Sequence, residues 1–263
     1  MSTRKFEEFL SIQRLSPGGL HLETNDFTVA IDPHSDGQAL SGSNLTIKHW
    51  GACENISVDA VLITHTRRDH YDVEVIRRIL KPSGFVVCST ESIPVIRDDG
   101  FEARGLDVYD QLALGPFNVT ALPAVDGLGE PRLSFFIELD AIRMIHCGET
   151  LWHGYWYKWA TDYGPLTVTF VPIGGALVNI PGVSATEVPV VMTPSQAAAA
   201  ADILCAQLVI PTHYGRTEAS EGLKDQGNAL EAFEHEAQRR NLNYRVLALG
   251  EEIELDRAPP TAD

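Results

Sequence analysis

A chain of 263 residues, 44% of them hydrophobic, is long enough to bury a sizeable core within one large α/β domain. Its 36 acidic against 20 basic side chains give a formal net charge of -16, which repels nucleic acid and anionic lipid and so excludes both as expected partners. A small-molecule substrate is the expectation that remains, and a homo-oligomer is compatible with it.

The opening MSTRKFEEFL carries two basic residues with no apolar run behind them, and no stretch approaches bilayer-spanning length. A soluble, cytoplasmic protein is expected. Cys53, Cys88, Cys147 and Cys205 are widely spaced with no C-x-x-C pair, which reads as reduced thiols rather than a disulfide framework or a zinc knuckle. No repeat or linker divides the sequence, so a single domain over residues 1–256 is expected, followed by a frayed tail at 257–263.

Residues 19–23 and 27–31 read as strands, the second closing on Asp32-Pro33, and the apolar run 60–64 suits a buried strand. From 72 to 80 the spacing of Val73, Ile76, Ile79 and Leu80 is helical, and Lys81-Pro82-Ser83-Gly84 ends that helix ahead of a strand at 85–88. Strands follow at 117–122, 133–139 and 142–147, the last two joined by a tight turn at Asp140-Ala141. After an apolar strand at 167–172, Thr193-Pro194-Ser195-Gln196 supplies an N-cap, a proline at the first helical position and a capping-box glutamine for an alanine-rich helix to Cys205. A short strand at 208–210 ends at Pro211, and an acidic amphipathic helix is expected over 223–240. Hairpins interrupt the alternation of strands and helices, which favours a mixed α/β sheet system over a doubly wound parallel one.

The densest chemical signal is Thr64-His65-Thr66-Arg67-Arg68-Asp69-His70, where a buried strand gives way to a helix. Loops at such positions commonly carry functional side chains, and imidazole nitrogens with carboxylate oxygens in one turn suit a borderline metal such as Zn²⁺. Taken alone, the run fits a solvated charge cluster equally well.

Later landmarks extend it. Metallo-β-lactamase-fold proteins carry H-x-H-x-D-H after a buried strand, and this chain resembles the branch similar to ascorbate-6-phosphate lactonases at five further places. Asp32-Pro33 matches its early D-P, Leu122-Pro123-Ala124-Val125-Asp126 resembles its P-A-x-H, and Cys147-Gly148-Glu149-Thr150 resembles its A-G-D-T. Val171-Pro172-Ile173-Gly174-Gly175 matches its L-P-I-G-G, and Met192-Thr193-Pro194 with Pro211-Thr212-His213-Tyr214-Gly215 matches its M-T-P and P-x-H-Y-G. The resemblance spans roughly residues 18–215. It implies an α/β fold of the α+β sandwich type, the αββα four-layer metallo-β-lactamase architecture, with metals where these loops meet.

Carried over position by position, the resemblance puts metal ligands at His65, Asp69, His70, Asp126, Glu149 and His213. His65 matches the first-site histidine, while Arg67 and Asp126 stand where that site's other two histidines belong. Asp69, His70 and His213 match the full second-site set, and Glu149 replaces the aspartate that bridges two metals. One well-formed site is therefore expected, with Zn the first choice of metal and Mn or Fe as alternatives. Arg67 is expected to pair with Asp126 or Glu149 and place a fixed charge where a second metal would be. The competing reading keeps His65, Asp126 and Glu149 as an oxygen-rich first site.

Other residues carry weaker signals. His146 is expected to end its strand in the core, and His34 faces either the site or solvent. The run Leu151-Trp152-His153-Gly154-Tyr155-Trp156-Tyr157-Lys158-Trp159 reads as a helix packing aromatic faces into the core, or else as a wall of the substrate pocket with His153 as an acid/base group. Gly174-Gly175 suits a turn with close backbone approach better than a phosphate cradle. Arg216 is a candidate for an anionic group of the substrate.

The resemblance implies metal-dependent hydrolysis of an ester, lactone or related acyl bond, with Asp69 or Glu149 orienting or deprotonating the nucleophile and Arg67 supplying charge. Two alternatives use the same residues. Asp69, His70 and His213 form a two-histidine, one-carboxylate set that also suits non-haem iron and oxygen chemistry. The altered first site is also compatible with a catalytically degenerate binding protein of the same fold.

Overall fold

Short strands of alternating or continuous apolar residues build most of the structure. A computed structural model describes residues 9–35, 51–125, 127–178, 182, 184, 187–215 and 223–257. In chain order the first elements are β1 (Phe9–Arg14), β2 (Leu20–Glu23), β3 (Thr28–Ile31), β4 (Val58–Leu62), α1 (Val73–Ile79), β5 (Leu80–Ser89), α2 (Ile93–Asp98) and β6 (Ala103–Leu106). Next come β7 (Gln111–Leu114), β8 (Phe117–Pro123), β9 (Leu133–Leu139), β10 (Ile142–His146), α3 (Trp156–Tyr163) and β11 (Val168–Pro172). The last are β12 (Leu177–Val178), α4 (Pro194–Ile203), β13 (Leu208–Thr212), β14 (Leu223–Lys224), α5 (Ala229–Arg239) and β15 (Glu252–Asp256).

Two compact units divide these elements: one runs through Leu106 and resumes at Leu247, and the other is Asp107–Val246. The first unit holds a seven-stranded sheet in the order β15-β1-β2-β3-β4-β5-β6. Its first pairs are antiparallel, but β3, β4, β5 and β6 run parallel, joined in part through α1 and α2. Val61, Ile63, Val75, Ile76, Ile79 and Val86 are buried together in its core. The side chain of Asp72 caps α1 by accepting from the backbone N–H groups of Glu74 and Val75, which explains the abrupt start of that helix.

The second unit holds a six-stranded sheet in the order β13-β11-β10-β9-β8-β7. Here β10, β11 and β13 are parallel and the rest antiparallel, so both sheets are mixed, as the interleaved hairpins predict. Asp140 turns the β9–β10 hairpin with φ 52°. Thr193 and Gln196 form the expected reciprocal capping box on α4, whose Ala197, Ala198, Ala200 and Ala201 are fully buried in one core with Trp156, Trp159 and Phe233. Small side chains there let α4 pack closely without a hydrophobic stripe of larger residues.

Three expectations are corrected. The helix expected over 223–240 begins only at Ala229, because Asn228 adopts a left-handed conformation (φ 63°) and Leu223–Lys224 pairs with β12. The aromatic helix begins at Trp156 rather than at 151, so Trp152 and His153 belong to the preceding loop. β1, β6, β7 and β15, together with α2, are elements the sequence reading did not place. The residues 258–263 of the expected tail lie outside the described residues, as do Asp126 and Arg216. Among the described residues no helix is long and apolar enough to cross a membrane.

Candidate metal centre

In each unit the chemically distinctive side chains follow the carboxyl ends of parallel strands, the place where mixed and parallel sheets commonly present ligands. In the first unit β3 ends on Asp32, and β4 leads into Thr64 and His65. Asp32 is fully buried with φ 44°, and its carboxylate accepts three hydrogen bonds. Thr64 N donates to Oδ1 at 2.8 Å, Thr64 Oγ1 to Oδ2 at 2.6 Å, and His70 Nδ1 to Oδ2 at 2.8 Å.

These contacts fix proton positions. A carboxylate only accepts, so His70 Nδ1 carries the ring proton and Nε2 bears the lone pair. The one hydroxyl proton of Thr64 goes to Asp32, and Oγ1 also lies 3.2 Å from His65 Nδ1 and 3.0 Å from His70 Nδ1. Asp32 thereby sets His70 in the tautomer that offers Nε2 to a metal, the outer-shell arrangement typical of histidine ligands. The rings lie side by side with centroids 3.8 Å apart, and His70 Nε2 is 3.8 Å from Asp69 Oδ2.

In the second unit β10 leads to Glu149 and β13 to His213. Both are buried, with Glu149 Oε1 4.0 Å from His213 Nδ1. Arg132 Nη1 donates to Glu149 Oε2 at 2.9 Å and to the Glu149 backbone carbonyl at 3.0 Å. The sequence reading did not single out Arg132. Its only signal was a charged residue abutting the apolar run that became β9, and a buried guanidinium there demands an anionic partner.

The motif segments of this unit are stitched by backbone bonds. Met192 N donates to the Thr150 carbonyl, Gly175 N to that of Met192, and Ile173 N to that of Thr212. Thr150 Oγ1 accepts from Val125 N at 2.9 Å. A Cβ on Gly174 would lie 2.5 Å from the His213 carbonyl oxygen, so the expected close backbone approach is what this glycine permits. His213 itself has φ 50°. In the first unit a Cβ on Gly19 would likewise lie 2.6 Å from the Asp32 carbonyl oxygen.

The donor chemistry fits a divalent cation. Nitrogen and oxygen ligands stand about 2.0–2.2 Å from an ion such as Zn²⁺, so two ligands of one ion are at most about 4.4 Å apart. The 3.8 Å between His70 Nε2 and Asp69 and the 4.0 Å between His213 and Glu149 fall inside that limit but beyond hydrogen-bond length.

The sequence profile of the beta-lactamase superfamily domain matches residues 28–214, well over half of the chain. The chain belongs to that family. A UPF0173 metal-dependent hydrolase of Thermococcus kodakarensis is 26% identical over 173 residues, covering 61% of this chain and 69% of its own. The metallo hydrolase Igni18 of Ignicoccus hospitalis superposes with a TM-score of 0.71 at 20% identity, covering 94% of this chain and 98% of its own. CmlA, a diiron β-hydroxylase of Streptomyces venezuelae, superposes with a TM-score of 0.71 at 17% identity, covering 97% of this chain and 55% of its own. The fold is the metallo-β-lactamase fold expected from the sequence.

Within this beta-lactamase superfamily chain the remaining candidates are spread more widely. Arg67 and His34 are half-buried, and the Arg67 carbonyl accepts from the N–H groups of His70 and Tyr71 to close the loop ahead of α1. His146 is buried at the end of β10, its Nδ1 accepting from Gly148 N. Trp152 is 38% exposed and walls a cleft of about 200 Å³ with Ser195, Gln196 and Ala199. His153 is buried, its ring stacked on Trp156 with centroids 4.1 Å apart, and burial lowers its pKa to about 4. It is thus a neutral packing element at pH 7. A larger concavity of about 570 Å³, at the start of α4 and α5, is lined by none of the expected site residues.

Proposed function

We propose that this chain is a cytoplasmic hydrolase that cleaves an ester, lactone or related acyl bond of a small molecule, with a divalent cation held by Asp69, His70, His213 and Glu149. The observation that carries the proposal is the buried contact of His70 Nδ1 with the Asp32 carboxylate, 2.8 Å, which leaves Nε2 of His70 basic. The name of the Thermococcus relative and the motif similarity to ascorbate-6-phosphate lactonases support the reaction class. Zn²⁺ is the first choice for a donor set of nitrogens and carboxylates, with Mn²⁺ or Fe²⁺ next. At the neighbouring metal position, His65 keeps the usual residue type while Arg67 and Asp126 depart from it.

A divalent cation, if bound there, would supply Lewis acidity and lower the pKa of a water beside it. Asp69 would be the carboxylate placed to orient that water or accept its proton. Glu149 has one oxygen committed to Arg132, whereas the Asp69 side chain keeps 15% of its surface exposed. His34, Arg67 and Arg216 are assigned to polar or anionic parts of the substrate, and Trp152 to an apolar part, with His153 packed behind the aromatic wall.

Elemental analysis of purified protein, followed by assays on a panel of esters and lactones, tests the proposal. One ion per chain is expected, with Asp69→Asn lowering turnover by about 10²–10⁴-fold. Hydrolysis that survives both chelation and Asp69→Asn would sink it. The two-histidine, one-carboxylate set of Asp69, His70 and His213 favours a second reading, iron-dependent oxygen chemistry, which predicts oxygen consumption by the Fe²⁺-loaded chain and no ester turnover.

A further inference from the structure

The two concavities of the second unit meet at one residue. Ser195, in the first turn of α4, lines both the cleft of about 200 Å³ beside Trp152 and the larger one of about 570 Å³ at the start of α5. They are two ends of one groove. Backbone bonds place it next to the candidate ligand loops of the same unit. Thr193 follows Met192, whose N–H is bonded to the Thr150 carbonyl beside Glu149. Gln226 N donates to the carbonyl of Gly174, the glycine that lies close against the His213 carbonyl.

The two ends differ in chemistry. At the small end Trp152 keeps 38% of its surface exposed, although its ring is only 6.0 Å from that of the fully buried Trp156. The loop carrying it is fastened by the bond from Leu151 N to the Val125 carbonyl, so the fold sets where this indole stands. A cavity of about 150 Å³ takes one six-membered ring, and this cleft exceeds that, with Ala199 as its other apolar wall.

At the large end the lining is polar. The side chains of Ser195, Gln226, Asn228 and Glu231 make no hydrogen bond with any described residue, although Asn228 stands at the cap position of α5, where such a side chain commonly bonds the first turn. Together they offer hydroxyl and amide donors, and hydroxyl, amide and carboxylate acceptors. Glu231 and Glu236 face the space with no lysine or arginine among the described lining residues, which disfavours an anion.

A ligand that matches both ends has an apolar ring face, a rim of groups that each donate and accept, and no negative charge. Neutral saccharides have all three. We propose that this groove binds a saccharide part of the substrate, with the C–H face of one ring on Trp152 and the hydroxyls beyond it bonded by Ser195, Gln226, Asn228 and Glu231. That the saccharide belongs to a substrate rests on the hydrolase reading above; its binding does not.

Nuclear magnetic resonance titration of the full chain with cellobiose, maltose and lactose tests the site, with inorganic phosphate, choline and benzyl alcohol as charged and apolar comparisons. At least one disaccharide is expected to shift the Trp152 indole N–H and the side-chain amides of Gln226 and Asn228 together. Trp152→Ala, Gln226→Ala and Asn228→Gly should each weaken that binding about 2–10-fold, the loss of one ring contact or one hydrogen bond. Glycine is the choice at 228 because it keeps the left-handed backbone, φ 63°. Tyr157→Ala, at an exposed position of α3 outside the groove, should bind as wild type does. No shift with any disaccharide would overturn the proposal, as would shifts at these residues with phosphate, choline or benzyl alcohol alone, or disaccharide binding that the three groove variants leave unchanged.

Turnover separates this site from the hydrolase reading. The chain should prefer 6-O-acetyl-D-glucose to ethyl acetate in kcat/KM, and the preference should shrink about 2–10-fold in Trp152→Ala. Disaccharide binding without hydrolysis of either ester would leave the saccharide site standing and count against the hydrolase. Hydrolysis of both esters at equal kcat/KM, with no disaccharide bound, would do the reverse.

Discussion

Replacing Asp32 by asparagine isolates the proton arrangement from the packing around it. The carboxylate accepts three hydrogen bonds of 2.6–2.8 Å at a fully buried position. In Asp32→Asn the amide oxygen can keep Thr64 N, and the amide nitrogen then faces Thr64 Oγ1 and His70 Nδ1. Both contacts can be retained only if His70 moves its proton from Nδ1 to Nε2, the nitrogen that a cation needs. The released Thr64 hydroxyl proton can turn to His65 Nδ1, 3.2 Å away. The number of hydrogen bonds is preserved, so the fold should lose only the charge assistance, about 1–2 kcal/mol. Cation affinity should fall about 10–100-fold. Asp32→Ala, by contrast, strands three buried donors at about 1–3 kcal/mol each and should lose stability first. Urea unfolding of the metal-free protein gives the first quantity, cation titration the second, and imidazole nitrogen shifts report the tautomer directly. An Asp32→Asn chain that keeps the Nδ1–H tautomer and wild-type affinity would refute the reasoning.

Gly174→Ala and Gly19→Ala drive a methyl group against the carbonyl oxygens of His213 and Asp32, at 2.5 and 2.6 Å, and each should cost about 1–3 kcal/mol and weaken cation binding. Either variant with wild-type melting temperature and affinity would show that these loops yield without consequence. Burial lowers the pKa of His21 and of His153 from 6.5 to about 4, the effect on His21 being partly opposed by Glu252. The unfolded chain thus binds these protons first, so stability is complete above pH 6.5 and declines as pH falls toward 4, by about 3 kcal/mol for each ring. In urea unfolding at pH 7.5 and 4.5, His21→Leu should lose less on acidification than wild type; an equal loss counts against the assignment. Asp32→Gly should be about 1 kcal/mol more stable than Asp32→Ala, because only the glycine meets φ 44° without strain, and equal unfolding midpoints would contradict that.

Much of the fold was legible because its signals are local. The Thr193 capping box, the Asp140 hairpin and the apolar runs of β9, β10 and β11 each declare themselves within a few residues. The failures are also local in origin. Amphipathic spacing carried the last helix back through Gly227-Asn228, although a glycine followed by a left-handed asparagine is a natural stop. Trp152 and His153 were drawn into a helix that starts at Trp156, since aromatic spacing ignores the turn at Gly154. β15 alternates Glu252, Ile253 and Glu254 too briefly to read as a strand before its partner β1 is known. At the site, the metal-ligand types stood in the sequence, but their supports did not. Asp32 was visible as half of a D-P pair, and 38 residues separate it from His70. Arg132 and Glu149 are 17 residues apart with a hairpin between them, and nothing in either position announces the pairing.

What those supports share is that each works inside one unit. Asp32 and Thr64 belong to the same sheet system as His65 and His70, and Arg132 to the same one as Glu149 and His213. The ring proton of His70 and the placement of the Glu149 carboxylate are set by short-range bonds that do not involve a cation. Ordering of these donors is therefore completed during folding, and binding of an ion need not supply it. Affinity lost in Asp32→Asn would then measure misdirected ligands in a chain whose fold is otherwise kept, which is why stability and cation binding should separate there.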